Sequence, residues 1–472
     1  MTDRKISQLA SATTTNLGQA FPVVQSSTTR QIALGDFAVV PVASVVALKT
    51  LAGMVDGQVV NLANYYDLSV VASGGGGGQM QWLAASTATP DNGVCFQPDA
   101  GGAGRWRRTD SNPLTALKFG CRSSADSQTA FDALLSAGAG DEIWIDTVVR
   151  VDTGACVIPD GTNLRFLGKD SRIDYRGTGA ALEIRNSKNV AVYDPHVDLT
   201  NAGANAIGLW VRGCWFLQIY KPKTVQSAAT HTGILLETSQ TGGNDWGTYL
   251  VEIHNPQFHR AASTNGLYGL RTRRTSGDAV SVTHLNVYGG WSKGNDYGMY
   301  LRDLSGGKIL GFAADTGIDG INIDDSGQVV LIPGELGGSI TGYSINIGSG
   351  CTNVSVRAPD MAAAGSLGYT NYGDGEFQTY VQGISATAVS ARNLRGFVII
   401  ADAATTSAVT FTDNEVDNAY FIVCSIAGVT GAVAAGSLNS YITAKATSGF
   451  TINLEAAPGA GTSVQVNWIM IR

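Results

Sequence analysis

A short apolar motif returns at regular intervals between residues 157 and 362, and this repeat constrains the fold more than any other feature of the sequence. Each copy is a triplet of apolar, variable and apolar residues that is closed a few residues later by Pro or Gly. The copies are Val190–Val192 with Pro195, Leu217–Ile219 with Pro222, Val251–Ile253 with Pro256, Leu285–Val287 with Gly290, a weaker one at Ile309, Val329–Leu331 with Gly334, and Val354–Val356 with Pro359. The six steps from Pro195 to Pro359 cover 164 residues, about 27 residues each, which is a typical length for one unit of a repeat protein.

A second row of motifs alternates with the first. It consists of Gly followed by apolar, variable and apolar residues, and its copies are Gly208–Val211, Gly233–Leu236, Gly269–Thr272, Gly298–Leu301, Gly320–Ile323 and a copy that begins with Ser, Ser344–Ile347. Because successive side chains of a strand point to opposite sides, the two outer residues of each triplet share one side, and stacking buries them. With one copy of each row per step, the sequence predicts an all-β fold whose centre is a right-handed parallel β-helix.

The composition agrees with many strands and tight turns. Charged residues make up 15% of the chain and Gly accounts for 59 of 472 residues, against about 25% and about 7% in average soluble domains. These values exclude a helical bundle, a collagen-like chain and wholesale disorder. The net charge of −7 and the pI near 5.3 provide no basic surface, so we expect no nucleic-acid partner.

The cysteines and histidines predict neither a metal site nor a cofactor. The six cysteines never form CxxC pairs, so we interpret them as small apolar residues. His254 and His259 share a strand without a further His or Cys at metal-ligand spacing. No GxSxG, HExxH, P-loop or dinucleotide fingerprint stands between a strand and a helix.

No secretion signal and no membrane span are expected. The first residues lack the apolar segment of a signal peptide. The longest apolar stretch, Phe37–Leu48, has only about 12 residues and contains Pro41, so it is too short to cross a bilayer.

Four regions follow from these patterns. Residues 1–35 are interpreted as an anchoring segment and residues 36–118 as a β-rich stem or connector, in which Gly74–Gly78 forms a flexible hinge or an exposed loop tip. Residues 119–374 comprise a capping helix and the parallel β-helix. Residues 375–472 form a C-terminal antiparallel β-sandwich.

Two local patterns support the last two regions. A helix is predicted from the N-cap Asp126 onward, because the residues that share one face are Ala130, Phe131, Leu134 and Leu135. In the closing strand of the sandwich, the residues that share one face are Val464, Val466, Trp468 and Met470.

Three segments ahead of the repeats are similar to segments of known proteins. They are, in order, a docking-type segment at Phe21–Gln25 and Thr29–Asp36, a stem-type segment at Ala85–Gly93 and Gly104–Arg108, and a capping-type segment at Phe119–Gly120 and Asp126–Phe131. Through these segments and the repeats, the chain resembles bacteriophage tailspike and tail fibre proteins with a pectate-lyase-like β-helix. It departs from them at Cys121-Arg122, where the family has small residues.

The resemblance implies a homotrimer that is part of the virion tail and is assembled in the host cytoplasm. It implies that residues 1–35 dock onto phage tail, baseplate or portal-adaptor proteins. It also implies that the protein attaches the virion to a host surface glycan, which many members of the family cleave.

The outward residues of the Gly row form the candidate glycan-binding groove. Two places after each Gly the face consists of Trp210, Leu235, Arg271, Tyr300, Asn322 and Asn346, and four places after it of Arg212, Glu237, Arg273, Arg302 and Asp324. Aromatic rings beside amides and guanidinium groups suit sugar faces and hydroxyls, so the predicted glycan ligands are Trp210, Arg271, Tyr300, Arg302 and Asn322. The alternatives are a trimer interface or a solvated ladder, and a salt-bridge ladder explains Glu237 between Arg212 and Arg273 better than catalysis does.

The candidate catalytic carboxylates are Asp303, Asp325 and Asp324. Glycoside hydrolysis needs two nearby carboxyls, and Asp303 and Asp325 both lie five places after a Gly on successive coils. Proximity of like charges would raise one pKa and separate an acid from a base. The alternatives are turn-capping Asp residues or a cation site.

A second aromatic stack follows the Pro row, at Tyr193, Tyr220, His254 and Tyr288. These rings either stack on sugars or pack against one another or a neighbouring chain.

The sequence is compatible with three functions of the protein. The first is an adhesive tailspike or tail fibre, and the second a dedicated capsule or lipopolysaccharide depolymerase that acts as hydrolase or lyase. The third, a free secreted polysaccharide-degrading enzyme, is disfavoured by the absence of a signal peptide and by the anchor-like residues 1–35.

Overall fold

The computed structural model describes residues 20–25, 28–33, 39–69, 74–110, 112–241, 244–261, 264–278, 280–337, 345–348, 350–352, 354–356, 395–401, 404–411, 420–431 and 438–471. The chain divides into two compact units, Met1–Gly120 and Cys121–Arg472. Its strands are numbered β1 to β41 in chain order. Most of the predicted anchoring segment and the predicted boundary at residues 374/375 lie outside the described residues.

The first unit contains a hairpin and a small mixed sheet. The hairpin consists of β1 (Ala20–Gln25) and β2 (Thr28–Ala33). The sheet has the order β3-β4-β5-β7-β6, with β3 (Val40–Val42), β4 (Val59–Asn64), β5 (Gly76–Leu83), β6 (Cys95–Phe96) and β7 (Arg105–Arg108). Helix α1 (Val45–Lys49), β8 (Leu114–Thr115) and a 3₁₀ helix at Leu117–Phe119 complete the unit. Its core is built around the fully buried Leu48, Met80, Phe96 and Trp106.

The Gly-rich run in this unit is not a hinge. Gly76 to Gly78 begin strand β5 and pair with β4, where Leu62 is opposite Gly78. A Cβ atom added to Gly77 would collide with the backbone carbonyl oxygen of Ala63. The prediction of a flexible hinge or loop tip at Gly74–Gly78 is therefore wrong for Gly76–Gly78, because these residues belong to a paired strand and Gly77 permits close approach of β4 and β5.

The second unit begins with helix α2 (Gln128–Ala137). The helix starts two residues after the predicted cap, although the Asp126 carboxylate still accepts a hydrogen bond from the backbone N–H of Gln128 at 3.2 Å. Phe131, Leu134 and Leu135 are buried, as the face pattern predicts.

Three parallel sheets follow, and each turn of the chain contributes one strand to each sheet. Sheet 1 contains β9 (Glu142–Ile145), β12 (Asn163–Phe166), β15 (Ala191–Tyr193), β18 (Trp215–Tyr220), β23 (Thr248–His254), β26 (Val282–Tyr288), β29 (Leu304–Leu310), β32 (Gly327–Ile332) and β35 (Ser355–Val356). Sheet 2 contains β10 (Val148–Val151), β13 (Arg172–Tyr175), β16 (His196–Asp198), β19 (Lys223–Gln226), β24 (Gln257–Arg260), β27 (Trp291–Lys293), β30 (Ala313–Asp315) and β33 (Leu336–Gly337). Sheet 3 contains β11 (Cys156–Ile158), β14 (Ala180–Arg185), β17 (Ile207–Arg212), β20 (Thr232–Glu237), β25 (Gly266–Arg273), β28 (Asn295–Arg302), β31 (Asp319–Asp324) and β34 (Ile345–Ile347). A hairpin of β21 (Ser239–Thr241) and β22 (Asn244–Trp246) is inserted after β20. This architecture is a parallel β-helix.

The strand register confirms both rows of the repeat. The Pro row forms sheet 1, with an unbroken buried column of Ile219, Ile253, Val287, Ile309 and Leu331. The Gly row forms sheet 3, with a buried column of Leu209, Ile234, Leu270, Met299 and Ile321. Each coil must place an apolar residue at the same position of the stack, but Ile, Val, Leu and Met all serve. The interval between motifs therefore recurs although the residue at each position differs.

The glycines of the second row are required by close packing between coils. A Cβ atom on Gly208 would lie 2.6 Å from the carbonyl oxygen of Gly233, and one on Gly233 would lie 2.5 Å from that of Gly269. Gly269 and Gly298 have the same 2.5 Å distance to the next glycine carbonyl. Because none of these four has a left-handed φ, the row marks close backbone approach and not a tight bend.

Sheet 2 has no motif row in the sequence. Each of its short strands contributes little to the interior, and the inward residues are chemically mixed: Ile173, Val197, Thr224, Phe258, Ser292, Ala314 and Leu336. Without a recurring apolar pair, a repeat search has no signal there.

The C-terminal region contains two antiparallel sheets of three strands. One has the order β36 (Arg395–Ala401), β41 (Ser463–Ile471), β38 (Phe421–Thr430), and the other β37 (Thr406–Thr410), β40 (Gly449–Leu454), β39 (Ser440–Ala446). Residues of both sheets form one buried core, in which Val464, Val466, Trp468 and Met470 lie together as predicted.

Two further observations bear on the sequence predictions. All six cysteines are free and five of them are buried, which agrees with their interpretation as small apolar residues. Among the described residues, no helix is long and apolar enough to cross a membrane, and no group of three or more His, Cys, Asp or Glu side chains is arranged to hold a metal ion.

Candidate functional site

The candidate site is the outer surface of sheet 3, called here the sheet 3 face. The strand register aligns the predicted column in full: Trp210, Leu235, Arg271, Tyr300, Asn322 and Asn346 are neighbours on successive coils. Adjacent strands of a sheet are about 4.8 Å apart, so six coils form a continuous strip of side chains.

Trp210 lies at one end of this strip and is held by two contacts. Its indole N–H donates to a carboxylate oxygen of Glu237 at 2.9 Å. The Arg212 guanidinium lies 4.4 Å from the centre of its ring, so one face of the indole is already covered. The contacts orient Trp210 and leave less of its ring for a sugar.

An ion-pair ladder surrounds Trp210. Arg273 donates to Glu237 at 2.7 Å, as predicted, but Arg212 pairs with Glu183 at 2.6 Å instead of with Glu237. Both carboxylates are buried, with Glu183 4% and Glu237 6% exposed. Each carboxylate is already paired with an arginine, which agrees with the ladder interpretation of Glu237.

Three tyrosines and one arginine form the centre of the face, called here the tyrosine–arginine cluster: Tyr268, Arg271, Tyr297 and Tyr300. The ring centres of Tyr268, Tyr297 and Tyr300 are 5.3 to 5.5 Å apart. The Arg271 guanidinium lies 4.7 Å from the Tyr268 ring centre and 5.9 Å from that of Tyr300. Tyr268 and Tyr297 were not among the predicted ligands, although both are aromatic residues that stand three places before a predicted ligand, Arg271 or Tyr300, on successive coils.

Asn322 lies beside this cluster and is turned toward a buried carboxylate. Its side-chain amide donates to Asp319 at 2.9 Å, and the Asn346 amide donates to the same oxygen at 3.3 Å. Asp319 is 3% and Asn322 9% exposed, so Asn322 has little surface to offer a ligand in this arrangement.

The predicted catalytic carboxylates come together around Arg302. Nitrogen atoms of its guanidinium lie 3.9 Å from Asp303, 3.7 Å from Asp324 and 3.2 Å from Asp325. Asp324, and to a smaller extent Asp325, raise the pKa of Arg302 above its ordinary value. Arg302 therefore offsets the mutual repulsion of the carboxylates.

Two features of this acidic group agree with the turn-capping alternative. Asp303 and Asp325 have left-handed backbone conformations, with φ of 54° and 45°. The backbone N–H of Arg274 also donates to Asp303 at 3.3 Å. Asp324 instead faces the cluster, where the Tyr300 hydroxyl lies 3.5 Å from its carboxylate.

The second aromatic stack lies on the outer side of sheet 1. Tyr193, Tyr220, His254 and Tyr288 are stacked with ring centres 4.8 to 5.0 Å apart and interplanar angles of 2° to 19°. Arg165 covers the free face of Tyr193 at 4.2 Å. Because the ring faces cover one another, this stack matches the packing alternative better than sugar stacking.

Comparison with known proteins adds to this geometry. Residues 41–111 match the family described as the phage tail protein small four-stranded β-sheet domain, which corresponds to the sheet of the first unit. The matched region precedes the parallel β-helix of the second unit in the sequence. No curated protein matches the sequence.

Solved tailspikes share the fold. Full-length tailspike protein 2 of an Escherichia coli O157:H7 bacteriophage is 14% identical, with a TM-score of 0.50 over 93% of this chain and 72% of that one. The gp42 tailspike of Acinetobacter phage vb_AbaP_AS12 is also 14% identical, with a TM-score of 0.51 over 82% of this chain and 83% of that one. The enzymatically active domain of bacteriophage CBA120 tailspike protein 2 is 13% identical, with a TM-score of 0.50 over 93% and 81%. At 13 to 14% identity, the similarity to these structures establishes the fold alone.

Proposed function

We propose that this chain is a tailspike that attaches a phage virion to a host surface polysaccharide through the sheet 3 face. The observation that carries the proposal is the pairing, in one chain, of a phage tail domain at residues 41–111 with a β-helix whose outer face presents the tyrosine–arginine cluster. A row of half-buried aromatic rings beside a guanidinium group suits the flat faces and hydroxyls of a sugar chain. Residues 1–35 dock the protein onto the tail, and the protein is assembled in the host cytoplasm before it joins the virion.

Adsorption to bacteria tests this function. Fluorescently labelled full-length protein is incubated with a panel of encapsulated bacteria and with isogenic strains that lack the capsule or the outer lipopolysaccharide chain. We expect binding to at least one parent strain and loss of binding in its polysaccharide-deficient mutant. Equal binding to both strains of every pair would refute a polysaccharide receptor.

A pair of variants locates the binding surface. Tyr300→Ala, in the cluster, should weaken adsorption about 10-fold, since one stacked ring contributes on the order of 1 kcal/mol beyond its buried area. Tyr288→Ala removes the same side chain from the stack on sheet 1 and should leave adsorption unchanged. The reverse pattern would place the receptor on sheet 1.

A homotrimer is part of the same proposal. The outward face of the sheet β36-β41-β38 exposes large apolar side chains, with Phe397 59%, Ile399 56%, Phe421 75%, Val423 54% and Ile469 47% exposed. Several large apolar side chains exposed on one face of a monomer mark an interaction surface, and we infer that its partners are two further copies of the same chain.

Cleavage of the bound polysaccharide, by hydrolysis or by elimination, is the second candidate function. The grouping of Asp303, Asp324 and Asp325 next to Tyr300 favours it, because two carboxyls beside a sugar-binding surface are what glycoside hydrolysis requires. Among the structures with the same fold, the CBA120 protein carries a domain described as enzymatically active.

Product analysis decides between binding alone and cleavage. The full-length protein is incubated with polysaccharide from a strain that it binds, and new reducing ends and unsaturated products are measured. Asp303→Asn should lower the rate at least about 100-fold if Asp303 is an acid or base. Asp194→Asn is the matched control, because Asp194 has the same left-handed conformation, with φ of 52°, in a turn between sheets 1 and 2. Absence of product on a polysaccharide that is bound would reject cleavage.

A further inference from the structure

Arg271 differs from Arg212, Arg273 and Arg302 of the sheet 3 face in having no counter-ion among the described residues. Arg212, Arg273 and Arg302 each have a carboxylate within 3.2 Å of a guanidinium nitrogen. Within the part of the chain that the structure describes, Arg271 forms no ion pair and no hydrogen bond, and its buried Nε–H has no acceptor. An arginine has five N–H donors, and a charged group removed from water without an acceptor is costly.

The surroundings of Arg271 are aromatic and hold the guanidinium in place. It lies over the ring of Tyr268 at 4.7 Å and near that of Tyr300 at 5.9 Å, two contacts that orient its plane without using its donors. The hydroxyl groups of Tyr268 and Tyr297 also make no hydrogen bond to any described residue. The cluster therefore presents a cation, free hydroxyls and ring faces to a ligand from outside.

The nearby acidic groups are already occupied. Asp319 accepts from the amides of Asn322 and Asn346, and Asp324 lies 3.7 Å from Arg302. Neither carboxylate is within ion-pair distance of Arg271, so no described residue of the sheet 3 face neutralises the charge of Arg271. An anion that approaches Arg271 would meet an uncompensated positive charge.

We propose that the tyrosine–arginine cluster is a subsite for an acidic sugar, whose carboxylate pairs with Arg271 while its ring lies against the tyrosines. The inference rests on the proposed polysaccharide-binding function and specifies the substrate class. A guanidinium group binds a carboxylate through two parallel hydrogen bonds, which fixes the orientation of the sugar as well as its charge. A neutral glycan would leave the donors of Arg271 without partners, so the site selects against it.

Paired probes test the charge requirement directly. Oligoglucuronate, oligogalacturonate and oligosialic acid are each compared with the same oligosaccharide after reduction of its carboxylates to primary alcohols. Binding to the full-length protein is measured by calorimetry and by ligand-observed NMR. At least one acidic probe should bind, and its reduced form should bind about 10- to 100-fold more weakly, the range expected for one charge-assisted contact.

Variants assign the effect to Arg271. Arg271→Gln should weaken the acidic probe to the level of its reduced form, and Arg271→Lys, which keeps the charge but loses the paired geometry, should be intermediate. Lys308→Gln removes one positive charge from the exposed surface of sheet 1 and serves as the matched control, with no change in affinity. Since Arg271 makes no ion pair to any described residue, its replacement should leave the melting temperature nearly unchanged.

The outcomes separate this inference from the proposed function. Equal binding of acidic and reduced probes, or binding that Arg271→Gln does not alter, overturns the acidic-sugar subsite and leaves polysaccharide attachment in place. Failure of all acidic probes with a protein that still adsorbs to bacteria through their polysaccharide also overturns it. If adsorption itself does not depend on polysaccharide, the proposed function fails first.

Discussion

Replacement of Gly269 by alanine should destabilise the β-helix by about 3 kcal/mol. The added Cβ would lie 2.5 Å from the carbonyl oxygen of Gly298 and 2.7 Å from Cδ2 of Phe258, whereas ordinary contact begins near 3.4 Å. The coils must therefore separate by about 0.9 Å at this point, which is about a fifth of their spacing of about 4.8 Å. Overpacking of this kind costs about 1 to 3 kcal/mol, and each weakened inter-coil hydrogen bond adds up to about 1 kcal/mol.

Differential scanning calorimetry of the full-length protein measures the effect. For units of 150 to 250 residues a change of 1 kcal/mol moves the melting temperature by roughly 2 to 4 °C, so Gly269→Ala should lower the β-helix transition by roughly 6 to 12 °C. Gly459→Ala is the control, because its Cβ would have no neighbour closer than 3.9 Å. If Gly269→Ala melts within about 2 °C of the control, the glycine row does not reflect close packing and the explanation is wrong.

Two further predictions concern charge and assembly. Burial and the nearby Lys223 lower the pKa of His196 to about 4, whereas a histidine in the unfolded chain has a pKa near 6.5. As the pH falls, the unfolded chain therefore binds the proton before the folded protein does, and the folded state loses stability. The contribution of the neutral His196 to stability is complete above about pH 6.5 and is lost as the pH falls toward 4. The drop in melting temperature between pH 7 and pH 4.5 should be smaller in His196→Asn than in the wild type, and an unchanged drop would show that other groups control it. Phe421→Lys on the exposed apolar face should shift the mass measured by light scattering from that of a trimer, three times 49.1 kDa, toward that of a monomer. Tyr441→Lys, on the other sheet of the C-terminal region, should leave the mass unchanged. A monomeric wild-type protein would reject the trimer.

The sequence predicted the fold well where an apolar residue recurs at the same position of each coil. The column from Ile219 to Leu331 could be read from spacing, including the weak copy at Ile309, because every coil must bury an apolar residue at the same position. Sheet 2 could not be predicted, since Thr224 and Ser292 occupy interior positions as readily as Phe258 does. The strand at Gly76–Gly78 was not predicted, because the sequence does not distinguish a glycine that permits close approach of two strands, such as Gly77, from a glycine in a flexible loop.

For the site, the sequence predicted which side chains would be neighbours but not which atoms they would contact. Trp210, Arg271 and Tyr300 are aligned as expected. That Arg212 pairs with Glu183 instead of Glu237 depends on side-chain conformation, and spacing carries no information about it. The catalytic assignment of Asp303, Asp324 and Asp325 stays a prediction that the product assay decides.

The sequence by itself determined the architecture and the column of side chains from Trp210 to Asn346 on the sheet 3 face. Its glycine and apolar spacing requires stacked coils, and stacking converts a period along the chain into columns in space. Only the tertiary structure decided how charge is distributed on that face, because ion pairs form between coils and depend on distances of a few ångströms. Three arginines that look alike in the sequence are neutralised by such pairs, whereas Arg271 has no carboxylate partner among the described residues, and the proposed acidic-sugar subsite rests on this difference.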